Sequence, residues 1–296
     1  MFEIRFARKG ELTRQKELWK FCFGDPDNFI DFFYTNRYKE DKTILLVENG
    51  DISAMLTMIP IVTVTPDNYK INSVMLYAIA TDPNKQNKGL ATKLLNFCDQ
   101  YLKANKLDLS VIVPATGELF NFYSKRGYQN GFYVREIWFK TDMLGALPVC
   151  KPGNCTILLP IIAEEYNRRR NKLLSGNFYI AYEDEDIEYQ KKLSALSGAD
   201  IYGIGCKNIQ GCAAIERISA DRVIIKELLI PEEFFAAAMK LITRQLHAKE
   251  YILRAPACWG EQFGGIIRPF AMVKKHQEID VLITPENPGY LGIAFD

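Results

Sequence analysis

The tightest constraint on how this chain can fold lies between Val74 and Leu102. Val74–Thr81 is apolar with no strong breaker, which predicts a buried strand, and Asp82-Pro83-Asn84 stops it with turn chemistry. From Leu90 the apolar residues fall at Leu90, Leu94, Leu95, Cys98, Tyr101 and Leu102, the spacing of one helix face. Between strand and helix stands Gln86-Asn87-Lys88-Gly89-Leu90-Ala91. Gly89 lets the backbone approach a ligand closely, and Ala91 adds little bulk to the first helical turn. The free N–H groups of that turn and the helix dipole together favour an anion, and Lys85 and Lys88 add positive charge. The pattern predicts a pyrophosphate seat at a strand–loop–helix junction, against the plainer alternative of an ordinary glycine-bearing turn. Neither G-x-x-x-x-G-K-[ST] nor, at this junction, G-x-G-x-x-G is present.

The elements around this junction form a meander. Phe2–Ala7 predicts a first strand, and Glu11–Phe23 an amphipathic helix ended by Gly24-Asp25-Pro26. Asn28–Tyr38 carries Phe29, Phe32, Phe33, Tyr34 and Tyr38, a stripe that reads first as core. Thr43–Glu48, the turn Asn49-Gly50 and Ile52–Thr65 predict a hairpin. After helix 90–104, Leu107–Val113 predicts a second buried strand, parallel to the first because the connection is a right-handed crossover. Glu118–Arg126 predicts a short helix, and Phe132–Phe139 another strand.

The loop resembles the acyl-CoA loop of the GNAT N-acetyltransferases, Q/R-x-x-G-x-G/A, with Gln86, Gly89 and Ala91 at its three defined positions. Downstream, Tyr123, Lys125, Gly127 and Tyr128 fill a segment similar to the family's Y-x-K-x-G-F/Y. The resemblance implies that the two parallel strands splay to admit the pantetheine of acetyl-CoA. It implies cofactor contacts from Ile79, Ala80, Thr81, Gln86, Asn87, Lys88, Gly89, Leu90, Ala91, Thr92, Asn121 and Tyr123, with the backbone around Ile79 orienting the thioester. Tyr123 is implied as the acid that protonates the leaving thiolate, a role suited to a phenol of reference pKa ~10; packing on the cofactor is its alternative. Many relatives have asparagine where this chain has Gly117, and Asn121 stands nearby out of register. The family also implies that the Phe29–Tyr38 region walls the acceptor pocket. No residue is singled out as the general base: Asp82, Glu118 and Glu136 read as solvated or structural.

At 296 residues the chain exceeds one average domain. Leu144–Asn154 reads as a linker, Thr156–Leu174 as a helix whose Arg168-Arg169-Arg170 forms a solvated face, and Glu183–Glu188 as a loop or helix start. Ile201–Lys207, Cys212–Ile218 and Arg222–Ile230 predict a second meander, Pro231–His247 a helix, and Glu250–Arg254 and Tyr290–Phe295 strands. This resembles a second GNAT repeat, as in tandem-GNAT proteins. The expected fold class is therefore α+β, layered, with a mixed and mostly antiparallel sheet of GNAT type in two tandem repeats. The expected division is 1–143, a linker 144–155, and 156–296. In the second repeat the junction reads Ile230-Pro231-Glu232-Glu233-Phe234-Phe235. It lacks glycine, and its carboxylates would repel phosphate, so this half is expected to be non-catalytic. His247 and His276 read as surface or capping residues.

A net charge of +1 argues against a nucleic-acid partner. No apolar run approaches a membrane span, Met1–Arg8 has no signal-peptide core, and the seven scattered cysteines form no C-x-x-C. A cytoplasmic chain with free thiols and no metal is expected, with a homodimer left open. The expected function is transfer of an acetyl or longer acyl group from acetyl-CoA to a primary amine of a small molecule or peptide. The alternatives are an acyl-CoA sensor without activity and an aminoacyl transferase using charged tRNA.

Overall fold

The computed structural model describes residues 2–141, 155–206, 209–279 and 288–296. In chain order its elements are β1 (Phe2–Phe6), α1 (Leu12–Phe23), α2 (Asp27–Asn36), β2 (Thr43–Glu48), β3 (Asp51–Val64), β4 (Lys70–Thr81), α3 (Leu90–Ala104), β5 (Leu109–Ile112), α4 (Gly117–Ser124) and β6 (Gln129–Lys140). There follow β7 (Cys155–Pro160), α5 (Ala163–Leu174), β8 (Tyr179–Ala181), α6 (Asp184–Leu196), β9 (Ile201–Cys206), β10 (Ile209–Ser219), β11 (Arg222–Leu229), α7 (Phe235–Gln245), β12 (Glu250–Pro256) and β13 (Ile266–Lys275).

The chain divides into two compact units, each built from discontinuous segments: 1–62, 71–129 and 273–280 in the first, and 63–70, 130–272 and 281–296 in the second. In the first unit β1, β2, β3, β4 and β5 are neighbours in that order. β1–β2 and β2–β3 are antiparallel, while β4 and β5 are parallel, with Ser73 opposite Leu109 and Leu76 opposite Ile112. That pair needs a crossover, and α3 supplies it. Leu90, Leu94, Leu95, Cys98 and Leu102 form the buried face of α3, while its lysines face solvent. β4 continues five residues past the last β5 partner, from Leu76 to Thr81, so the two strands part at that point.

The second unit repeats the device. β9, β10 and β11 form an antiparallel meander, and β11 runs parallel to β12 with α7 as the crossover. This pairing ends at Ile225 opposite Leu253. The next residue on each strand, Lys226 and Arg254, reaches Asp296. Leu291, Ile293, Ala294 and Phe295 are at most 2 % exposed. Residues 290–296 thus pack at the parting of β11 and β12.

Several expectations need correction. Residues 156–174 are not one helix: β7 comes first and α5 begins only at Ala163. Thr156-Ile157-Leu158-Leu159 is partly β-branched, and Leu158 is buried between exposed Ile157 and Leu159, the alternation of a strand. Pro160 then ends the strand. The basic run is not one solvated face either, because Arg170 is fully buried against Glu227 at 2.9 Å. The segment 290–295 is not a strand: Gly289 and Tyr290 make only isolated bridges, and Phe295 has φ +60°. β13 was not foreseen. The proposed linker at 144–154 lies outside the described residues.

Candidate active site

The turn after β4 is built as its sequence suggests. The Asp82 carboxylate accepts from the Asn84 N–H at 2.9 Å, closing an Asx turn, and binds Arg14 at 2.5 Å. Residues 86–89 are exposed, Asn87 has φ +62°, and Gly89 has φ +74° as the N-terminal cap of α3. A methyl group built on Gly89 would meet no protein atom within 4 Å. The space beside Gly89 is therefore open, and no side chain caps the helix. The N–H groups of the α3 first turn are left for an anion. Lys88 is exposed, but Lys85 is committed: its ammonium binds Asp51 at 2.8 Å and Ser53 at 2.8 Å. The positive charge expected from Lys85 is thus neutralised. The Gln86 side chain turns back to donate to the Thr81 carbonyl at 3.3 Å.

β4 carries a second irregularity where it leaves β5. Ala78 has φ +49° inside the strand, a left-handed conformation that costs a non-glycine residue about 1–2 kcal/mol. Tyr77, Ala78 and Ile79 are half-buried, Ala80 is buried and Thr81 is half-buried. The irregularity falls just past Leu76, the last residue of β4 that β5 pairs. Sequence reasoning placed the orienting backbone at Ile79 but had no signal for the kink, since alanine ordinarily avoids that conformation.

Tyr123 lies near the end of α4 and is buried, and burial raises its phenol to about 12 despite the opposing charge of Arg126. It is protonated throughout the neutral range. Three residues on, Arg126 stacks on the Phe122 ring at 3.4 Å, donates to the Phe122 carbonyl, and donates through Nε (3.1 Å) and Nη2 (2.5 Å) to the Thr92 hydroxyl. Thr92 is the third residue of α3. Arg126 therefore ties the Tyr123 segment to the helical turn that carries Leu90, Ala91 and Thr92. Sequence reasoning missed Arg126; its one signal was a cation three positions after the tyrosine. Asn121 is exposed on α4, and the structure gives its main-chain carbonyl only a helix-ending contact from Lys125.

The α1–α2 region is mainly core. Trp19, Phe33 and Tyr34 are buried, with the Trp19 ring 4.7 Å from Phe33 and 5.8 Å from Tyr77 on β4. Trp19 Nε1 donates to Asp25 at 2.7 Å. Phe23 stays exposed and Phe29 half-buried. Asp82 and Glu136 are both engaged in ion pairs, the latter with Arg268 at 2.6 Å. Glu118 is exposed in the first turn of α4. Among the described residues no group of three or more acidic, histidine or cysteine side chains could hold a metal, and no helix is long and apolar enough to cross a membrane. Cys22, Cys98, Cys212 and Cys258 are free.

In the second unit the corresponding junction, Glu232–Phe234, is a 3-10 turn preceded by Pro231, and α7 begins only at Phe235. Two carboxylates replace the open glycine loop.

Residues 3–131 match the family model described as an acetyltransferase (GNAT) domain. No curated protein matches the sequence. Among solved structures, the fold is similar to a GCN5-related N-acetyltransferase from Anabaena variabilis, at 14% identity and TM-score 0.72, over 94% of this chain and 73% of that one. It is also similar to Eis1 from Mycobacterium abscessus, at 12% identity and TM-score 0.68, over 93% and 72%. A tandem GNAT protein from the clavulanic acid biosynthesis pathway matches at 9% identity and TM-score 0.57, over 95% of this chain and all of that one.

Proposed function

The chain carries a GNAT acetyltransferase domain over residues 3–131, and we propose that it transfers an acetyl or other acyl group from acyl-CoA to a primary amine. One observation carries this reading: Arg126 binds Thr92 in the first turn of α3 and so holds the buried acid Tyr123 in register with the open Gly89 loop. A phosphate seat without that link would suit many ligands. A protonated phenol tied to it suits departure of a thiolate.

The residues fit acyl-CoA. The exposed main chain of 86–89 and the α3 first turn would hold the pyrophosphate, and the parting of β4 from β5 would take the pantetheine arm. The backbone at Ala78–Ala80 would orient the thioester carbonyl. The amine, once neutral, attacks the carbonyl carbon; the C–S bond breaks, and the sulfur takes the Tyr123 proton. The acylated nitrogen then loses its extra proton to solvent, and the Tyr123 phenolate takes one back from solvent, which restores the acid. The acceptor is a small-molecule or peptide amine lying on the α1–α2 side, where Phe23 and Phe29 remain partly exposed. Catalysis belongs to 1–143, while 156–296 is non-catalytic. Its glutamate-bearing junction and the packed segment 290–296 support a single site per chain.

Calorimetric titration with acetyl-CoA tests this directly. One site per chain followed by amine-dependent CoA release is expected. No binding would overturn the assignment, binding without release to any amine would leave a sensor, and two sites would refute the reading of the second half.

A further inference from the structure

Behind Tyr123 lies a buried polar chain that the proposed chemistry does not use. His276, just after β13, has a side chain with no exposed surface. Its Nε2 stands 2.8 Å from the Ser110 hydroxyl on β5, and that hydroxyl is 2.9 Å from the Tyr128 phenol. The Tyr128 ring meets the Tyr123 ring edge-on, with centroids 5.9 Å apart and planes at 66°. The Tyr128 N–H also donates to the Tyr123 carbonyl at 3.2 Å, closing the turn between them. Lys274, two residues before His276, binds Asp99 on α3 at 2.5 Å and the Arg126 carbonyl at 2.7 Å. The expectation of a surface or capping histidine was wrong. A residue about 150 positions downstream is pinned beneath the acid's own turn.

We propose that His276 is a positioning residue for Tyr123, acting through Ser110 and Tyr128, and that its protonation loosens the acid. In the neutral tautomer that carries its hydrogen on Nδ1, Nε2 accepts from Ser110, and Ser110 accepts from the Tyr128 phenol. All three groups are thereby fixed, and the Tyr128 ring is held against Tyr123. An imidazolium has only donors. Nε2 must then donate to Ser110, and of the Ser110 and Tyr128 hydroxyl hydrogens only one keeps an acceptor within this buried chain. An unmatched buried hydroxyl is costly, so the ring gives way. The groups facing the imidazole are Ser110 on β5, Tyr128 on the turn, Asp99 at 4.0 Å and Lys103 on α3, and Lys274 on β13. Burial pushes His276 down to about 4, Asp99 pulls against it, and the two lysines add to the downward shift. The neutral form is therefore the working one at pH 7.

The proposal rests on Tyr123 as the acid, and its test separates the two. The rate of acetyl transfer to an accepted amine is measured for His276→Leu, Ser110→Ala and Tyr128→Phe, each in the wild-type and the Tyr123→Phe background. The expected result is about a tenfold fall in kcat at unchanged acetyl-CoA affinity in the first background, and no further fall in the second. Equal losses in both backgrounds, or a matching loss of affinity, would overturn it by making His276 a purely structural residue. A readout free of turnover uses the whole chain with 3-fluorotyrosine at position 123. Its fluorine resonance is expected to shift between pH 7 and pH 4 in the wild type and to stay fixed in His276→Gln. A resonance that ignores pH in the wild type would refute the coupling even if no amine is ever acetylated. Turnover unaffected by Tyr123→Phe, with the pH-dependent shift intact, would refute the acid and leave the positioning in place.

Discussion

Replacing Gly89 with alanine separates the cost of strain from the cost of lost binding. Gly89 sits at φ +74°, and a methyl group there would touch no protein atom within 4 Å. The fold therefore loses only the left-handed penalty of about 1–2 kcal/mol. For a chain of this size that lowers Tm by roughly 2–8 °C. Gly176 provides a matched control, since it has φ +82° and equally open surroundings but lies far from the loop in sequence. Gly176→Ala should cost the same stability. Binding should diverge. The added methyl would enter the open space that the proposed pyrophosphate would occupy, and a hydrogen bond to a charged group is worth about 1.5–3 kcal/mol. Calorimetric Kd for acetyl-CoA should therefore rise about ten- to a hundredfold in Gly89→Ala and stay within twofold in Gly176→Ala. Equal affinities in the two variants would refute the placement of the pyrophosphate.

Tyr123→Phe should lower kcat about a hundredfold with little change in acetyl-CoA Kd, measured by steady-state release of CoA alongside calorimetry. Because burial holds that phenol at about 12, the wild-type rate should show no descending limb from its ionisation below about pH 10. Arg170→Met strands the Glu227 carboxylate, which has no exposed surface, leaving it chiefly the Tyr166 hydroxyl at 2.9 Å. It should cost about 3–5 kcal/mol in urea unfolding, with much of the loss recovered by adding Glu227→Gln. Stability should also fall with acid in two stages. His276, held near 4 when folded and near 6.5 when unfolded, takes up protons preferentially in the unfolded chain, so stability drops as pH falls from about 6.5 to 4. Asp296, buried but held at about 2 by Arg254 and Lys226, loses its contribution between about pH 4 and 2. Denaturant midpoints across pH, compared with those of His276→Gln, would isolate the first stage.

What could be read from the sequence was local. The apolar stop at Asp82, the α3 face from Leu90 and the glycine at Gly89 each declare themselves through neighbours a few residues away, and α3 begins where its pattern does. The hidden features depend on distant chain. Nothing in Ala78 announces φ +49°, which appears just past the end of the pairing with β5, a strand that begins only at Leu109. Arg168, Arg169 and Arg170 look alike in sequence, yet only Arg170 faces Glu227, 57 positions away. His276 resembled a surface histidine because its partner Ser110 is 166 positions off. In 156–162 the helical reading failed because isoleucine and leucine fit a strand as readily, and Pro160 decided the matter.

The membership of 273–280 in the first unit bears on the order of assembly. On the ribosome, residues 1–129 emerge with the Gly89 loop and Tyr123 well before the segment 273–280. They must wait for residue 276 of 296 before Lys274 and His276 arrive. Contacts of such long sequence separation are slow to form. Between residues 129 and 273 the first unit thus lacks its last segment, and its apolar β5 edge is open to misassembly for that time. A fragment ending near residue 141 would be frozen in that unfinished state.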